Sequence, residues 1–355
     1  MRKIAGLLMA LLVALGPVPL AWAEEGGTYV VRPGDTLSAI AMRFDTSIRA
    51  LVQANGIDDP NLIYAGQSLA LPGEARATAP APDAPPAPAP VTVSSVTHSP
   101  TALLSRQRLL TYYGNPWAAS MGILGELSKD GLVRELRRVA QLYQPLSDRP
   151  VQPAIHLIAT VAQASAGSDG LYRLRMPDSM IEEYIELAER NGMPLFLDIQ
   201  VGRSTVAAEV AAVRRFLAKP NVHLAIDPEF DMWGDERPGI QLGHTTAEGI
   251  NLAVQVLADV VAANNLPNKI LILHQFAASM ITGKRAIQNH PSVDIVIDMD
   301  GFGGQEIKTR HYEMYVRDEP VEYAAIKLFY RHDSNLMTPA QVMRLTPTPD
   351  IIIYQ

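Results

Sequence analysis

Asp227 and Glu229 are the two residues of this sequence best placed for acid–base chemistry, because they flank Pro228 at the end of an apolar run. Side chains alternate along a strand, so an extended segment here would turn both carboxylates to one face and Ile226 to the other. Two carboxylates this close do not ionise independently, and the pKa of one is expected to rise. A carboxylic acid that stays protonated can donate its proton to a glycosidic oxygen.

A purely structural role is the alternative for this pair. A carboxylate at a strand end can cap the next helix, or it can pair with a cation such as Arg203 or Arg331. We favour the chemical role because further acids follow other predicted strands, namely Asp198, Asp298 and Asp300. Buried carboxylates are costly unless they are paired or bound to something, so five of them at strand ends indicate a functional site.

The predicted active site combines these acids with polar neighbours. Glu229 is the expected general acid and Asp227 its supporting carboxylate, with Asp298 and Asp300 as further catalytic candidates. The expected substrate-binding residues are other polar side chains at strand ends: Tyr113, Asp198, Gln200 and Gln275. Two tryptophans after strand ends, Trp117 and Trp233, either stack on a sugar ring or plug the rim of the site.

Histidines on three predicted strands raise the alternative of a metal site. The candidate ligands are three histidines and three acids: His156, His223, His274, Asp198, Glu229 and Asp298. Histidine and carboxylate ligands suit several divalent metals. However, the H-E-x-x-H and H-x-x-E-H spacings are missing, and a histidine within a strand is more often a hydrogen-bonded core residue. The sequence therefore predicts no metal and no cofactor.

The elements that must position these residues are eight short apolar, β-rich runs. They lie at 109–113, 154–160, 195–201, 222–228, 270–275, 293–299, 325–330 and 351–354. Amphipathic helical stretches separate them, most clearly at 132–142, 180–191, 206–217 and 246–264, with Asp178 and either Thr246 or Thr245 as N-cap candidates. The pattern predicts an α/β fold with a parallel sheet buried on both faces, and eight strands favour a closed (β/α)8-type barrel. An open doubly wound sheet is the alternative.

The polar residues follow the carboxyl ends of these strands, which is where a barrel of this type carries its chemistry. Before the barrel, a small β-α-α-β unit is predicted at 28–72. Its first strand is 28–31 and its last is 68–72, and a second short helix ends at Asn55-Gly56. Leu37, Ile40 and Phe44 fall at helical spacing in the first helix.

Three phrases of this small unit, at 29–37, 55–56 and 61–69, closely resemble a LysM module from end to end. The resemblance implies binding of N-acetylglucosamine-containing glycans, chiefly peptidoglycan or chitin, in a shallow groove between two loops. Carried over to this chain, the groove residues are Gly34, Asp35, Thr36, Leu37, Asn61, Leu62 and Ile63. Backbone amides and short polar groups would bond the sugar, while Leu37 and Ile63 would meet the acetamido methyl group.

The acids of the large unit resemble those of barrel glycoside hydrolases that cleave N-acetylhexosamine polymers. A D-x-E after the fourth strand and an aspartate on the sixth are similar to the GH25-type muramidases and, more distantly, to GH18-type chitinases and spore-cortex hydrolases. The resemblance implies that Glu229 is the general acid and that Asp227 supports the substrate acetamide or the developing charge. Asp298 or Asp300 would take the strand-six role. The first strand carries Tyr113 and no aspartate, which departs from the muramidases.

The composition fits an exported protein of two parts. The chain has 355 residues and a formal net charge of −7, which excludes a strongly basic nucleic-acid-binding protein. It has no cysteine, which excludes disulfides, thiolate metal sites and a cysteine nucleophile. Residues 1–23 are predicted to be a secretory signal peptide, and the Pro/Ala-rich stretch 73–102 a semi-rigid linker. The two folded parts are then the LysM domain at 28–72 and the barrel domain at 103–355.

These observations predict an exported, envelope-located protein that binds and cleaves peptidoglycan or a chitin-like glycan with a carboxylate acid pair. Nucleic acid is not expected as a partner, and neither is the membrane once the signal peptide is removed. Two alternatives stay open. In the first alternative the barrel is a non-catalytic wall-binding module. In the second it is a metal-dependent glycan hydrolase or deacetylase.

Overall fold

The computed structural model describes residues 27–31, 37, 40, 44, 48–57, 63–64, 66–71 and 102–355. The chain divides into two compact units, at 1–81 and 82–355. The predicted signal peptide and all but the last residue of the predicted linker lie outside the described residues. Among the described helices, none has the length and apolar character needed to cross a membrane.

The N-terminal unit is built on a two-stranded antiparallel ribbon. Strand β1 (Thr28–Val30) pairs with β2 (Ser68–Ala70), and helix α1 (Ile48–Asn55) lies between them in the chain. The side chain of Asn55 bonds both the N–H and the C=O of Ala70, which holds the end of α1 against the last strand. The small core contains Tyr29, Val31, Leu37, Ile40, Leu51 and Leu69.

The large unit is a closed barrel of eight parallel strands. In chain order these are β3 (Arg108–Gly114), β4 (Val151–Ala162), β6 (Leu195–Ile199), β7 (Val222–Ile226), β9 (Lys269–Gln275), β11 (Val293–Met299), β12 (Tyr323–Leu328) and β13 (Ile351–Tyr354). The barrel closes because β3 pairs in parallel with both β13 and β4. The predicted α/β barrel is therefore confirmed, and the open sheet is excluded. The strands are buried along nearly their whole length, which is what continuous apolar runs predict.

Helices cover the outside of the barrel. They are α2 (Leu103–Arg106), α3 (Lys129–Tyr143), α4 (Asp178–Asn191), α5 (Val206–Leu217), α6 (Ala247–Asn264), α7 (Gln305–Tyr312) and α8 (Pro339–Val342). Three short strands are additional: β5 (Arg173–Arg175) pairs antiparallel with β4, and β8 (Thr245–Thr246) pairs with β10 (Ile281–Thr282).

The helix ends follow local chemistry. The Thr246 hydroxyl accepts a hydrogen bond from the Gly249 N–H and caps α6, as predicted. The prediction for Asp178 is wrong, because Pro177 has the extended backbone of the N-cap and Asp178 is the first helical residue. There its carboxylate still lies at the positive end of the helix dipole.

Candidate active site

The acid pair lies in a tight turn at the carboxyl end of β7. The strand ends at Ile226, and Pro228–Phe230 forms one turn of 3-10 helix. The expectation of an extended segment is therefore wrong, because proline has no N–H to continue the strand ladder. The Asp227 Oδ1 atom accepts a hydrogen bond from the Glu229 N–H at 3.2 Å, so the two acids are brought together by the turn.

Both acids of the pair titrate well above the usual range. Asp227 is only 2 % exposed, and burial, followed by the charges of Asp198 and Asp300, raises its pKa to about 7. Burial and the neighbouring Asp227 raise the pKa of Glu229 to about 8. One raised pKa was predicted and two are found. Glu229 therefore holds its proton at neutral pH, as a proton donor must, and Asp227 titrates close to neutral pH.

A hydrogen-bonded network of buried histidines and aspartates lies deeper in the barrel. Asp198 Oδ2 accepts from His156 Nε2 at 3.0 Å and from His274 Nε2 at 2.9 Å. The other ring nitrogen of His274 lies 2.8 Å from Asp298 Oδ2 and 3.3 Å from Asp300 Oδ2. Both ring nitrogens of His274 thus face carboxylates, which is the arrangement of an imidazolium ion.

The hydrogen bonds of this network determine which of its histidines and aspartates are charged. Burial opposes a charge on His274, but its bonds to Asp198 and Asp298 outweigh burial and hold its pKa well above the usual range. Burial lowers the pKa of His156 to about 4, so this ring is neutral. The pKa of Asp198 is lowered because the contacts with His274 and His156 overcome the effect of burial.

Lys327 supplies the second buried cation. It lies on β12, and its Nζ is 3.1 Å from each carboxylate oxygen of Asp300 and 3.6 Å from the centroid of the Tyr113 ring. Burial opposes the charge of each partner, yet the pair keeps the pKa of Lys327 raised and that of Asp300 lowered. Burial raises the pKa of Asp298. Two cations, His274 and Lys327, therefore lie beside two aspartates whose pKa values are lowered, Asp198 and Asp300.

The predicted substrate-binding residues lie at different places around this network. Gln200 Nε2 lies 3.4 Å from both Tyr113 OH and Asp227 Oδ2, so this amide borders the acid pair. Gln275 is fully buried, accepts from Lys284 Nζ at 2.8 Å and donates to the carbonyl of Ala277. Asp198 is fully buried within the network. Their contacts with a substrate stay predictions.

The structural alternatives weighed for the acid pair find little support. Arg203 donates to the backbone oxygen of Glu236 at 2.7 Å, and Arg331 pairs with Glu126 at 2.9 Å, so neither cation is committed to the pair. Asp227 does cap the short turn that follows it, so the capping alternative is confirmed for this residue.

The two tryptophans do not plug the rim. Trp117 is 61 % exposed and Trp233 is 50 % exposed, and the Trp233 ring stacks on His244. The Trp233 loop is fixed beside the acid pair, because the Gly243 N–H donates to the carbonyl of Glu229 at 2.8 Å. An exposed ring on a fixed loop at this position is suited to stacking on a sugar.

Part of the predicted metal constellation comes together. Ligand atoms of His156, Asp198 and His274 lie within 4.8 Å of one another, and so do those of His274, Asp298 and Asp300. Asp298 bonds the second ring nitrogen of His274, a common arrangement behind a metal-binding histidine. His223 is placed elsewhere, because its Nδ1 accepts the backbone N–H of Ile270.

Three residues of the site were missed or undervalued at the level of sequence. From the sequence, His274 and His156 are candidates only as metal ligands, and Lys327 is not a candidate for any role. The signal for Lys327 is a lysine inside an otherwise apolar strand, since a buried ammonium requires a partner. Its partner, Asp300, follows a different strand, so the pair is visible only after folding.

The predicted glycan groove of the small unit is described in part. Leu37 is 3 % exposed and belongs to the core, and Ile63 is partly buried against the same cluster. The structure thus places Leu37 in the packing of the unit. Gly34, Asp35, Thr36, Asn61 and Leu62 lie outside the described residues.

A LysM family model matches residues 29–72 of the chain. These residues form a LysM domain. Two curated relatives match over 53 residues, 15 % of this chain: the N-acetylmuramoyl-L-alanine amidase XlyA of Bacillus subtilis at 45 % identity and the amidase sle1 of Staphylococcus saprophyticus at 42 %. The match spans only 18 % and 16 % of the length of those relatives. The similarity to both amidases is therefore confined to a small part of each protein.

Solved structures show distant similarity over a longer stretch. The spore cortex-lytic enzyme SleL of Bacillus megaterium is 11 % identical, with 92 % of this chain and 70 % of that chain covered at a TM-score of 0.35. A xyloglucan-specific endo-beta-1,4-glucanase from a metagenomic library, XEG5A, is 12 % identical, with 64 % of this chain and 78 % of that chain covered at a TM-score of 0.35. Similarity this low carries no argument about activity, so the function of the barrel rests on its own residues.

Proposed function

We propose that this protein is a cell-envelope glycan hydrolase whose LysM domain binds peptidoglycan and whose barrel cleaves the glycan. The observation that carries the proposal is the turn at the end of β7, which joins Asp227 and Glu229 at the rim where barrels of this kind perform chemistry. Burial raises the pKa of Asp227 to about 7, and burial together with the charge of Asp227 raises the pKa of Glu229 to about 8. A protonated acid on the rim is the group that cleavage of a glycosidic bond requires.

The four acids of the site have different roles in the proposed cleavage. Glu229 is less buried than Asp227 and donates its proton to the glycosidic oxygen as the bond to the sugar breaks. A water molecule then adds to the sugar carbon and gives a proton to the ionised Glu229, which restores the acid. Asp227 supports the substrate acetamide or the positive charge that develops on the sugar. Asp298 and Asp300 lie deeper in the barrel than the acid pair. Asp298 holds His274 in place and Asp300 holds Lys327, so that the charges around the pair are balanced.

Peptidoglycan is the preferred polymer. The LysM domain supports it, and the matching relatives carry N-acetylmuramoyl-L-alanine in their names. The same considerations place the protein in the cell envelope. Export through a signal peptide at 1–23 is part of the proposal. Chitin oligomers are the comparison substrate because both polymers contain N-acetylhexosamine units.

The direct test is the release of reducing ends from peptidoglycan and chitin oligomers by the full chain, beside Glu229→Gln. We expect the variant to be slower by roughly 10²- to 10⁴-fold, the usual contribution of a general acid. Asp235→Asn, an exposed acid in the same loop, is the matched control and should match the wild type. Equal activity of Glu229→Gln and the wild type would falsify the assignment. A wild type that binds peptidoglycan and releases no reducing ends would indicate the non-catalytic alternative.

A metal-dependent hydrolase or deacetylase is the second candidate. It is favoured by one observation, the convergence of His156, Asp198 and His274 with Asp298 behind His274. Such a site would supply an activated water when loaded. Loss of activity in a chelator and recovery with added metal, together with release of acetate and no new reducing ends, would support this candidate against the acid pair.

A further inference from the structure

A cavity of about 600 Å³ lies at the ends of β3, β12 and β13. Around the barrel, β13 is the fourth strand from β7 in either direction, so the cavity is on the opposite side from the acid pair. Tyr112 lines it, and Tyr112 alternates along β3 with Tyr113, which contacts His156 and His274 inside the barrel. The cavity therefore lies on the outer side of the barrel wall, where α3 provides Glu135 and Arg138.

The cavity has a rigid aromatic surface. The Tyr330 ring stacks on the Tyr354 ring with centroids 4.9 Å apart and an angle of 20° between the planes. Hydroxyl contacts hold the stack: Tyr330 OH lies 3.1 Å from Tyr112 OH, and Tyr354 OH lies 2.7 Å from Tyr143 OH. Tyr330 nevertheless remains 41 % exposed. An exposed ring that is fixed by its neighbours offers contact area at low entropy cost.

The charges that line the cavity cancel one another. Arg138 donates to both carboxylate oxygens of Glu135, at 2.8 and 2.6 Å. Arg331 pairs with Glu126 at 2.9 Å across the cavity. With each guanidinium committed to a carboxylate, these two pairs contribute no net charge to the lining, which also includes His332 and Gln355. The carboxylate oxygens and the remaining N–H groups can still accept from and donate to hydroxyl groups.

We propose that this cavity is a second saccharide-binding site that takes an uncharged pyranose unit of the glycan polymer. A stacked aromatic ring beside paired polar groups matches the apolar face and the hydroxyl edge of a sugar, and the volume lies within the ordinary range of ligand pockets. The inference rests on the proposed function for its choice of polymer. A strand bound both here and at the acid pair would be held at high effective concentration for cleavage.

The test is hydrogen–deuterium exchange of the full chain carrying Glu229→Gln, with and without a tetramer of N-acetylglucosamine. We expect slower exchange in 117–127 and 329–333, separately from any protection in the LysM domain at 29–72. Tyr330→Ala should raise about tenfold the tetramer concentration needed to protect 117–127 and 329–333, which is equivalent to about 1.4 kcal/mol. The concentration needed to protect 29–72 should stay unchanged. Tyr330→Phe keeps the ring and should retain most of the protection. Its exchange without ligand also checks the fold.

The outcomes separate this site from the hydrolase proposal. No protection of 117–127 and 329–333 at a tetramer concentration that saturates 29–72 would overturn the site. So would protection by a free, charged stem peptide of peptidoglycan in place of the tetramer. If the segments are protected but the wild type releases no reducing ends, the saccharide site stands and the hydrolase proposal fails.

Discussion

Two buried side chains at the amino ends of the barrel strands, Lys269 and His223, contrast with the buried groups at the carboxyl ends. At the amino ends of the strands, Lys269 donates to the carbonyls of Lys219 and Val222 at 2.5 and 2.9 Å, and His223 accepts the N–H of Ile270. Burial lowers the pKa of Lys269 to about 7 and that of His223 well below its usual range. Both side chains approach neutrality and bond only to backbone, which is how a structural interior accommodates polar atoms.

At the carboxyl ends, charge is retained. His274 and Lys327 stay cationic against Asp198 and Asp300, while other acids stay protonated beside them. Within the described part of the chain, Asp198 Oδ1, Asp298 Oδ1 and His156 Nδ1 have no hydrogen-bond partner. Unsatisfied polar atoms next to opposed charges are costly to keep for stability alone. The retained charges agree with the proposal that the chemistry takes place at the carboxyl ends.

The largest expected effect comes from removing the buried cation at the carboxyl end. Lys327→Met removes the cation closest to Asp300 and leaves this buried carboxylate with His274 alone, so we expect the free energy of unfolding to fall by roughly 3–5 kcal/mol. Urea unfolding at neutral pH measures this. The double variant Lys327→Met/Asp300→Asn should recover a large part of the loss. A loss under 1 kcal/mol in the single variant would mean that the two ends of the barrel do not differ as described.

A second prediction concerns the pH dependence of stability set by Glu229. The folded-state pKa is raised to about 8, above the unfolded value, so the folded state binds the proton that the unfolded state has lost. Stability due to this group is therefore present at low pH and is lost as pH rises from about 4.5 to about 8. Glu229→Gln should remove roughly 2–4 kcal/mol of this decline, since one pKa unit is worth about 1.4 kcal/mol. Parallel pH curves for the two proteins would contradict it.

The smallest expected effect has the opposite sign and lies at the amino end. The pKa of Lys269 is about 7 in the folded protein and higher in the unfolded chain, so stability rises with pH from about 7 to about 10. Lys269→Met should remove a rise of roughly 1–3 kcal/mol, lessened because two backbone carbonyls solvate the ammonium group. Unfolding measured at several pH values between 7 and 10 tests this. An unchanged slope in the variant would show that Lys269 stays charged.

Several elements were predictable from local pattern alone. The runs 293–299 and 351–354 coincide with β11 and β13 to the residue, and 206–217 coincides with α5. Each is a strong periodic or continuous apolar segment with clear ends, so neighbours in the chain suffice to define it. The LysM domain was predictable for a different reason, because its sequence segments resemble those of the LysM family from end to end.

The candidate site was predictable in composition but not in geometry. The acids were found because carboxylates at the ends of apolar strands are conspicuous, yet the turn at Pro228 replaced the expected pleat. Lys327 was not predicted, because the role of a single lysine in a strand depends on a partner that lies elsewhere in the sequence. Asp333, which follows β12, is likewise explained only by the fold, because it pairs with Lys308 at 3.1 Å and accepts the Phe329 N–H.

The sequence by itself determined which segments become the barrel strands, that eight of them follow a LysM module, and which residue types could donate a proton. Those properties depend on side-chain periodicity and on chemistry within a few residues. Only the tertiary structure decided which acids are ionised, because the cations that set their pKa values, His274 and Lys327, come from strands 24 or more residues away in the chain. Electrostatic interactions depend on distance in space and on burial, and neither can be read from the order of residues.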